Sequence, residues 1–301
     1  MQQAPRITLA PGGPDFSRVV LGLWRLAEWQ RTPAQRLLLV EQAIALGVTT
    51  IDQADIYGGY TSEALFGEAL ALSPGLRQQL QIVSKCGIRL VHPNRPAHGV
   101  KHYDTDRAHL IASVEHSLRM MGTDYLDLLL IHRPDPLMDA DEVADAFDQL
   151  RRDGKVRYFG ASNFTPTQFA LLAARFPLVT NQVELSLLHL PPLDDGTLDQ
   201  AQQLRCAPMI WSALGGGRLF SDDSAQVRRV RAKLAQIAAS RGVTPAVIAY
   251  AWILRHPSHP LVLTGSGRIT AIAEAVAATR IVLTREEWFA LWCASRGSEV
   301  A

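Results

Sequence analysis

Short apolar runs alternate with amphipathic stretches almost from end to end of this chain. Runs rich in β-branched and large aliphatic residues suit strands buried on both faces, whereas apolar residues recurring every third or fourth position mark helices. Ile7-Thr-Leu9 and Phe16-Ser-Arg-Val-Val20 flank Pro11-Gly12-Gly13-Pro14. That pattern predicts a β-hairpin running into a first buried strand over 19–21. Thr32-Pro33 caps a helix over 34–46, which Gly47 stops. Val48-Thr-Thr-Ile51-Asp52 is the second strand, and Tyr57-Gly58-Gly59 follows in a loop. A helix near 61–70 precedes the third strand, Gln81-Ile-Val-Ser-Lys85. After a long polar loop come a helix over 106–121 and the strand Tyr125-Leu-Asp-Leu-Leu-Leu-Ile131-His132.

The second half repeats the scheme. Helices are predicted over 140–152, 165–175, 193–204 (interrupted), 226–241, 245–255 and 270–278. The strands between them are 156–161, 178–182, 208–212 and 261–263, and Thr284-Arg-Glu-Glu287 is a capping box for a last helix to residue 295. Eight buried strands, each followed by helix, predict an α/β fold of the (β/α)₈ type, a TIM barrel, rather than an open doubly wound sheet. The doubly wound alternative calls for G-x-G-x-x-G after the first strand, and Val20-Leu-Gly22-Leu-Trp24 does not supply it. With no linker, charge run or low-complexity segment, residues 1–301 read as one domain.

In such a barrel the chemistry gathers where the C-terminal strand ends meet the loops that follow. From the second strand to the eighth, those ends carry Asp52, Lys85, His132, Ser162-Asn163, Gln182, Trp211-Ser212 and Gly265-Ser266-Gly267-Arg268. Singly, each has a plain reading: a turn aspartate, a lysine reaching from a strand end, a core histidine or tryptophan. Their convergence on one rim favours a functional site. Asp52, Tyr57, Lys85 and His132 suit proton donation to a carbonyl oxygen. A lysine cation near a phenol favours phenolate and so makes it a better acid near neutrality, while an aspartate keeps that lysine charged. His132 is placed to orient the same oxygen.

The remaining ends resemble a cradle for a hydride carrier. Ser162, Asn163 and Gln182 offer donors and acceptors for a carboxamide, and Trp211 offers a flat face for a nicotinamide. Leu214-Gly-Gly-Gly217-Arg218 offers backbone N–H groups and a cation for a pyrophosphate. Gly265-Ser-Gly-Arg268 opens a helix and suits an anion.

Composition narrows the partners. The 301 residues are 48% hydrophobic with a formal net charge of +1, so nothing electrostatic draws the chain to nucleic acid or an anionic membrane. Cys86, Cys206 and Cys293 lack metal-ligand spacing and fit buried thiols in a reducing compartment. The N-terminus lacks the apolar core of a signal peptide, and the apolar stretch 244–254 is too short to span a bilayer. A cytoplasmic, soluble protein is expected. His92, His98 and His102 have no carboxylate or cysteine at ligand spacing, so no metal is expected. Oligomeric state stays open.

Six motifs, in order, resemble those of the aldo-keto reductase superfamily. They are Ile51-Asp52-Gln-Ala-Asp55-Ile-Tyr57-Gly58, Val83-Ser-Lys85, Leu126-Asp-Leu-Leu-Leu-Ile131-His132, Gly160-Ala-Ser162-Asn163-Phe164, Asn181-Gln182-Val-Glu184 and Gly265-Ser266. The run His132-Arg-Pro-Asp-Pro136 and the run Gly215-Gly-Gly-Arg-Leu-Phe220 are similar to those of bacterial members. The resemblance implies an NADP(H)-dependent carbonyl reductase whose N-terminal hairpin closes the barrel floor. Tyr57 would be the acid, Lys85 and Asp52 would tune it, and His132 would orient substrate. Gly22, Ser162, Asn163, Gln182, Trp211, Ser212, Leu214, Gly216, Arg218, Gly265, Ser266, Gly267, Arg268 and Glu274 would hold the cofactor. Trp24 and Trp29, with the loop 86–103, would wall an apolar substrate pocket. Trp211 stands where many relatives stack a tyrosine, and the helix after Arg268 lacks the usual basic residue on its first turn and the Asn after Glu274. A regulatory or sensing subunit that holds the cofactor with little turnover is the alternative from another class.

Overall fold

The computed structural model describes residues 3–301. The chain opens with β1 (Arg6–Thr8) and β2 (Asp15–Ser17), then β3 (Val19–Gly22), α1 (Pro33–Ala45), β4 (Thr50–Asp52), α2 (Tyr57–Tyr60), α3 (Ser62–Ala71) and β5 (Gln81–Cys86). Next come β6 (Ile88–Arg89), β7 (His102–Tyr103), α4 (Arg107–Met121), β8 (Leu126–Ile131), α5 (Ala140–Arg152), β9 (Val156–Ser162), α6 (Pro166–Ala173) and β10 (Asn181–Glu184). The last part holds α7 (Thr197–Leu204), β11 (Met209–Trp211), α8 (Arg218–Ser221), α9 (Ala225–Arg241), α10 (Pro245–Leu254), β12 (Leu261–Thr264), α11 (Ile269–Ala278) and α12 (Arg285–Arg296). Strands β3, β4, β5, β8, β9, β10, β11 and β12 pair in that order, all parallel, and β12 returns to β3 to close a barrel. The helices surround it. Strands β3 and β8 are covered on both faces and buried at each residue, which is why their sequences run apolar instead of alternating.

The hairpin of β1 and β2 closes the N-terminal end of the barrel. Phe16 is fully buried there. Ser17 Oγ accepts from the Thr49 and Thr50 N–H groups at 3.1 and 3.0 Å, and the Leu9 carbonyl accepts from Ala207 N–H at 2.7 Å. These partners lie at or just before the starts of β4 and β11, so the C-terminal end is the one left open.

Local chemistry explains where elements depart from the hydrophobic pattern. The second barrel strand begins at Thr50, because the Val48 N–H is taken by the Ala43 carbonyl at 2.9 Å in the turn that ends α1. Strand β10 runs to Glu184, past the apolar run, since Gln182 to Glu184 pair in register with Met209 to Trp211. The predicted helix over 193–204 is a 3₁₀ turn (Pro191–Leu193) and α7, parted by Gly196 at φ 85°. The polar loop after β5 contains an antiparallel ribbon, Ile88 opposite Tyr103 and Arg89 opposite His102. Short helix α8 was not foreseen. Among the described residues no single helix is long and apolar enough to cross a membrane. The bent pair α9 and α10 passes by composition together, but α10 is buried from Ala246 to Leu254.

Candidate active site

At the floor of the open end, β4 and β5 run side by side with Asp52 opposite Val83. Lys85, one side-chain step further up β5, therefore reaches Asp52. Its ammonium donates to Asp52 Oδ2 at 2.7 Å, to the Gln53 carbonyl at 2.9 Å and to Tyr57 Oη at 3.1 Å. An ammonium has three donors, and all three have acceptors. The Lys85 and Asp52 side chains are only 1% and 2% exposed. Tyr57 is returned over this pair by a tight turn: its N–H bonds the Ala54 carbonyl at 3.1 Å, and Gly58 and Gly59 follow with φ of 59° and 62°. Two consecutive left-handed residues are cheap only for glycine, and a Cβ on Gly59 would stand 2.4 Å from His92 Nε2. What reads as a loop in sequence is this one-turn element, α2.

The electrostatics differ from expectation in one respect. Burial is the largest influence on the Tyr57 phenol and raises its pKa; Lys85 pulls it down and Asp52 pushes it up, for a net rise. Lys85 thus limits a desolvation penalty and does not bring the phenol below its ordinary value. For Lys85 itself burial favours the neutral amine, but Asp52 and Tyr57 together outweigh it and the amine stays a stronger base than usual. His132, at the end of β8, lies edge-on to Tyr57 with ring centres 5.9 Å apart. Burial, then the Lys85 and Arg133 charges, hold it well below the ordinary histidine pKa, so it is neutral. Its Nδ1 is buried without a hydrogen-bond partner, so Nε2 is the nitrogen left to serve the cleft.

Behind Lys85 lies a second acidic group. Glu63, 4% exposed, accepts from Ser84 Oγ at 2.5 Å, and burial raises its pKa from 4.5 to about 7. Below pH 4.5 the folded and unfolded chains are both protonated here and nothing is lost. As pH rises from there to about 7, the unfolded chain releases a proton that the fold retains, so stability falls across that window. The loss is on the order of 3 kcal/mol. Glu63→Gln keeps an oxygen for Ser84 and removes the titration. In urea denaturation its stability relative to wild type is expected to rise between about pH 5 and about pH 8. A difference that does not change with pH would refute the assignment.

Above these groups a cleft of 1180 Å³ runs from Trp24 and Tyr57 to Arg268 and Glu274. It is lined by Asp52, Tyr57, His132 and every expected cofactor residue except Arg218, whose guanidinium points to Asp222 at 3.2 Å and is largely exposed. Lys85 lies beneath the cleft wall and meets it through Tyr57 and Asp52. Asn163 and Ser212 take left-handed backbone at φ 62° and 50°, a cost non-glycine residues bear mainly where the chain must curl into a site. Asn163 Nδ2 donates to Ser162 Oγ at 2.8 Å, and its Oδ1 accepts from Trp211 Nε1 at 3.0 Å, fixing the indole on edge. Gln182, expected among the carboxamide partners, lines the cleft, and its Nε2 donates to Asp52 Oδ1 at 2.7 Å and so helps hold that carboxylate.

Two glycine loops form the far wall. Gly215, Gly216 and Gly217 have φ of 62°, 66° and 97°, and the last two present bare backbone to the cleft. A Cβ on Gly265 would meet nothing, so there is open room above that loop. The loop after β3 straps across both: Arg25 donates to the Gly216 carbonyl at 3.1 Å and Arg31 to the Gly267 carbonyl at 2.5 Å. Trp29 packs so closely on Gly267 that a Cβ there would stand 2.9 Å from the indole. Trp29 therefore lines the cleft from the side of the last glycine loop. The Arg268 side chain bonds no described residue, and Glu274 accepts from Thr244 Oγ1 at 2.7 Å. Arg25, Arg31, Lys101 and Arg133 line the cleft but escaped the strand-end reading. The signal that could have found Arg25, Arg31 and Arg133 is their place in loops that directly follow barrel strands. Among the described residues no cluster of side chains could hold a metal ion.

Comparison with known proteins matches this arrangement. The Aldo/keto reductase family profile covers residues 18–292. Oxidoreductase YdhF of Escherichia coli (strain K12) is 55% identical over 98% of this chain and 99% of its own length. A 6-dehydroglucose reductase of Agrobacterium fabrum is 46% identical over 95% of this chain and 97% of its own. The crystal structure of an aldo/keto reductase from Klebsiella pneumoniae in complex with NADP and acetate superposes with a TM-score of 0.76 at 26% identity, covering 95% of this chain and 93% of that one. With a closed eight-stranded barrel, a Lys-Asp-Tyr cluster at its open end and these likenesses, the chain belongs to the aldo/keto reductase family, whose members are oxidoreductases.

Proposed function

We propose that this chain, acting as one domain, is a cytoplasmic NADPH-dependent reductase of aldehydes and ketones. The observation that carries the reading is Lys85 Nζ held between Asp52 Oδ2 and Tyr57 Oη at the cleft floor. The residues present suit a nicotinamide dinucleotide. The bare glycine loops and the cations along them suit its phosphates, and Trp211 offers a flat face held on edge by Asn163. NADP in the Klebsiella relative and the reductase name of the Agrobacterium relative support the same reading.

When bound, the cofactor supplies the hydride. The chain supplies the rest. Neutral His132 donates from Nε2 to the carbonyl oxygen and aims it at Tyr57. The Tyr57 hydroxyl gives up its proton to that oxygen as negative charge develops there, and Lys85 stabilises the phenolate left behind. Asp52, braced by Gln182, keeps Lys85 charged throughout. NADPH consumption with a panel of carbonyl compounds tests the reading. Tight cofactor binding without consumption of any of them would favour the sensing alternative.

Cofactor choice rests on Arg268. It follows Gly265-Ser-Gly267 at the N-cap of α11, and its exposed guanidinium is free to meet a 2′-phosphate. One charge-assisted contact is worth roughly 1.5–3 kcal/mol, or about ten- to a hundredfold in affinity. Arg268→Ala is expected to weaken NADPH binding by that factor and NADH binding little. Titration of tryptophan fluorescence measures both, and equal losses would leave Arg268 a structural role only.

A further inference from the structure

Arg133 follows His132 directly and lines the cleft beside it and Tyr57. Its guanidinium lies 5.7 Å from the centre of the Trp211 ring, and no hydrogen bond or ion pair joins it to another described residue. Its charge is felt by both Tyr57 and His132, which places it at the reacting end. The two carboxylates that line the cleft do not neutralise it: Asp52 is bound to Lys85 and Gln182, and Glu274 to Thr244 at the other end. The cofactor's phosphates do not explain it either. The glycine loops they would occupy have Arg25, Arg31 and Arg268 of their own. Lys101, also without a partner among the described residues, lines the cleft too, from the position just before β7. A half-buried guanidinium with five donors and no anion beside it is a site for one.

We infer that Arg133, with Lys101 as a second cation of the same cleft, binds a carboxylate on the carbonyl substrate, so that this enzyme prefers anionic oxo compounds to neutral ones. The inference rests on the proposed carbonyl reduction and names the substrate class for that same site. A carboxylate held there screens the cation beside His132 and Tyr57 while the guanidinium fixes the substrate's long axis.

The test uses the full chain with NADPH and two pairs of near-isosteric aldehydes, 3- and 4-formylbenzoate against 3- and 4-formylbenzamide. Wild type is expected to favour the better benzoate by about tenfold or more in kcat/KM, the range of one charge-assisted bond, mostly through KM. In Arg133→Met the ratio should fall to about one, and Arg133→Lys should keep part of it, while NADPH affinity by tryptophan fluorescence is unchanged. A wild-type ratio near one, or a preference that survives Arg133→Met, overturns the inference. If wild type reduces neither these four aldehydes nor any compound of the carbonyl panel, the proposed function fails by itself, and calorimetry still reads Arg133. In that case, benzoate binding to the NADPH-loaded protein that is stronger than benzamide binding and lost in Arg133→Met supports the anion site. Equal binding of the two sinks it.

Discussion

Tyr57→Phe is expected to lower NADPH oxidation with carbonyl substrates by about 10²–10⁴-fold, the range for removing a positioned general acid. The substitution deletes one oxygen and keeps the ring. The turn through Gly58 and Gly59 that places residue 57 is made by backbone, so the variant keeps its shape. Lys85 loses one of three acceptors, and its bonds to Asp52 and Gln53 remain. Cofactor affinity, read by tryptophan fluorescence, should therefore match wild type while turnover collapses. Turnover near the wild-type level would mean that the proton comes from elsewhere.

Lys85→Met should cost both activity and stability. Asp52 would be left as a buried carboxylate with Gln182 as a side-chain donor, and breaking a buried pair from one side costs about 3–5 kcal/mol. Adding Asp52→Asn removes the orphaned charge, so the double variant should recover most of that stability in urea denaturation and none of the turnover. The pH profile separates a tuning role from a purely structural one. The rate needs protonated Tyr57, so it falls as pH rises through the phenol's pKa. Burial already raises that pKa and Lys85 opposes the rise. Without Lys85 the opposing influence is gone, and the falling limb of the residual rate moves to higher pH. An unmoved limb would show that Lys85 does not act on the phenol.

Much of the site was legible along the chain because strand ends in a parallel barrel are legible. Asp52, Lys85 and His132 each end a run of buried residues, and a charged or polar side chain at such a point asks for a reason. Arg133 stands beside His132 in a run marked only by its likeness to bacterial members and is given no role there, because a basic residue after a strand is normally a solvated one. Nothing in the sequence says that its cleft holds no carboxylate to meet it. Arg218 differs in the opposite sense: beside three glycines it looks like a phosphate ligand, whereas in the structure its guanidinium meets an acceptor four residues on, Asp222.

By itself, then, the sequence determined the eightfold alternation, the closure of the barrel and the identity of the polar residues at its rim. These follow from local rules: which residues bury on both faces, where Gly and Pro punctuate, and what caps a helix. The tertiary structure alone decided how those residues are wired. Residues 52 and 182 are far apart in sequence, and only the curvature of the closed sheet brings Gln182 onto Asp52. Trp29 and Arg31 belong to the first loop but settle on Gly267, where the last barrel strand lies beside the first. The direction of the Tyr57 shift was also beyond the sequence. It depends on how much solvent the fold removes from the phenol against how closely it seats one ammonium, and both are set by packing in three dimensions.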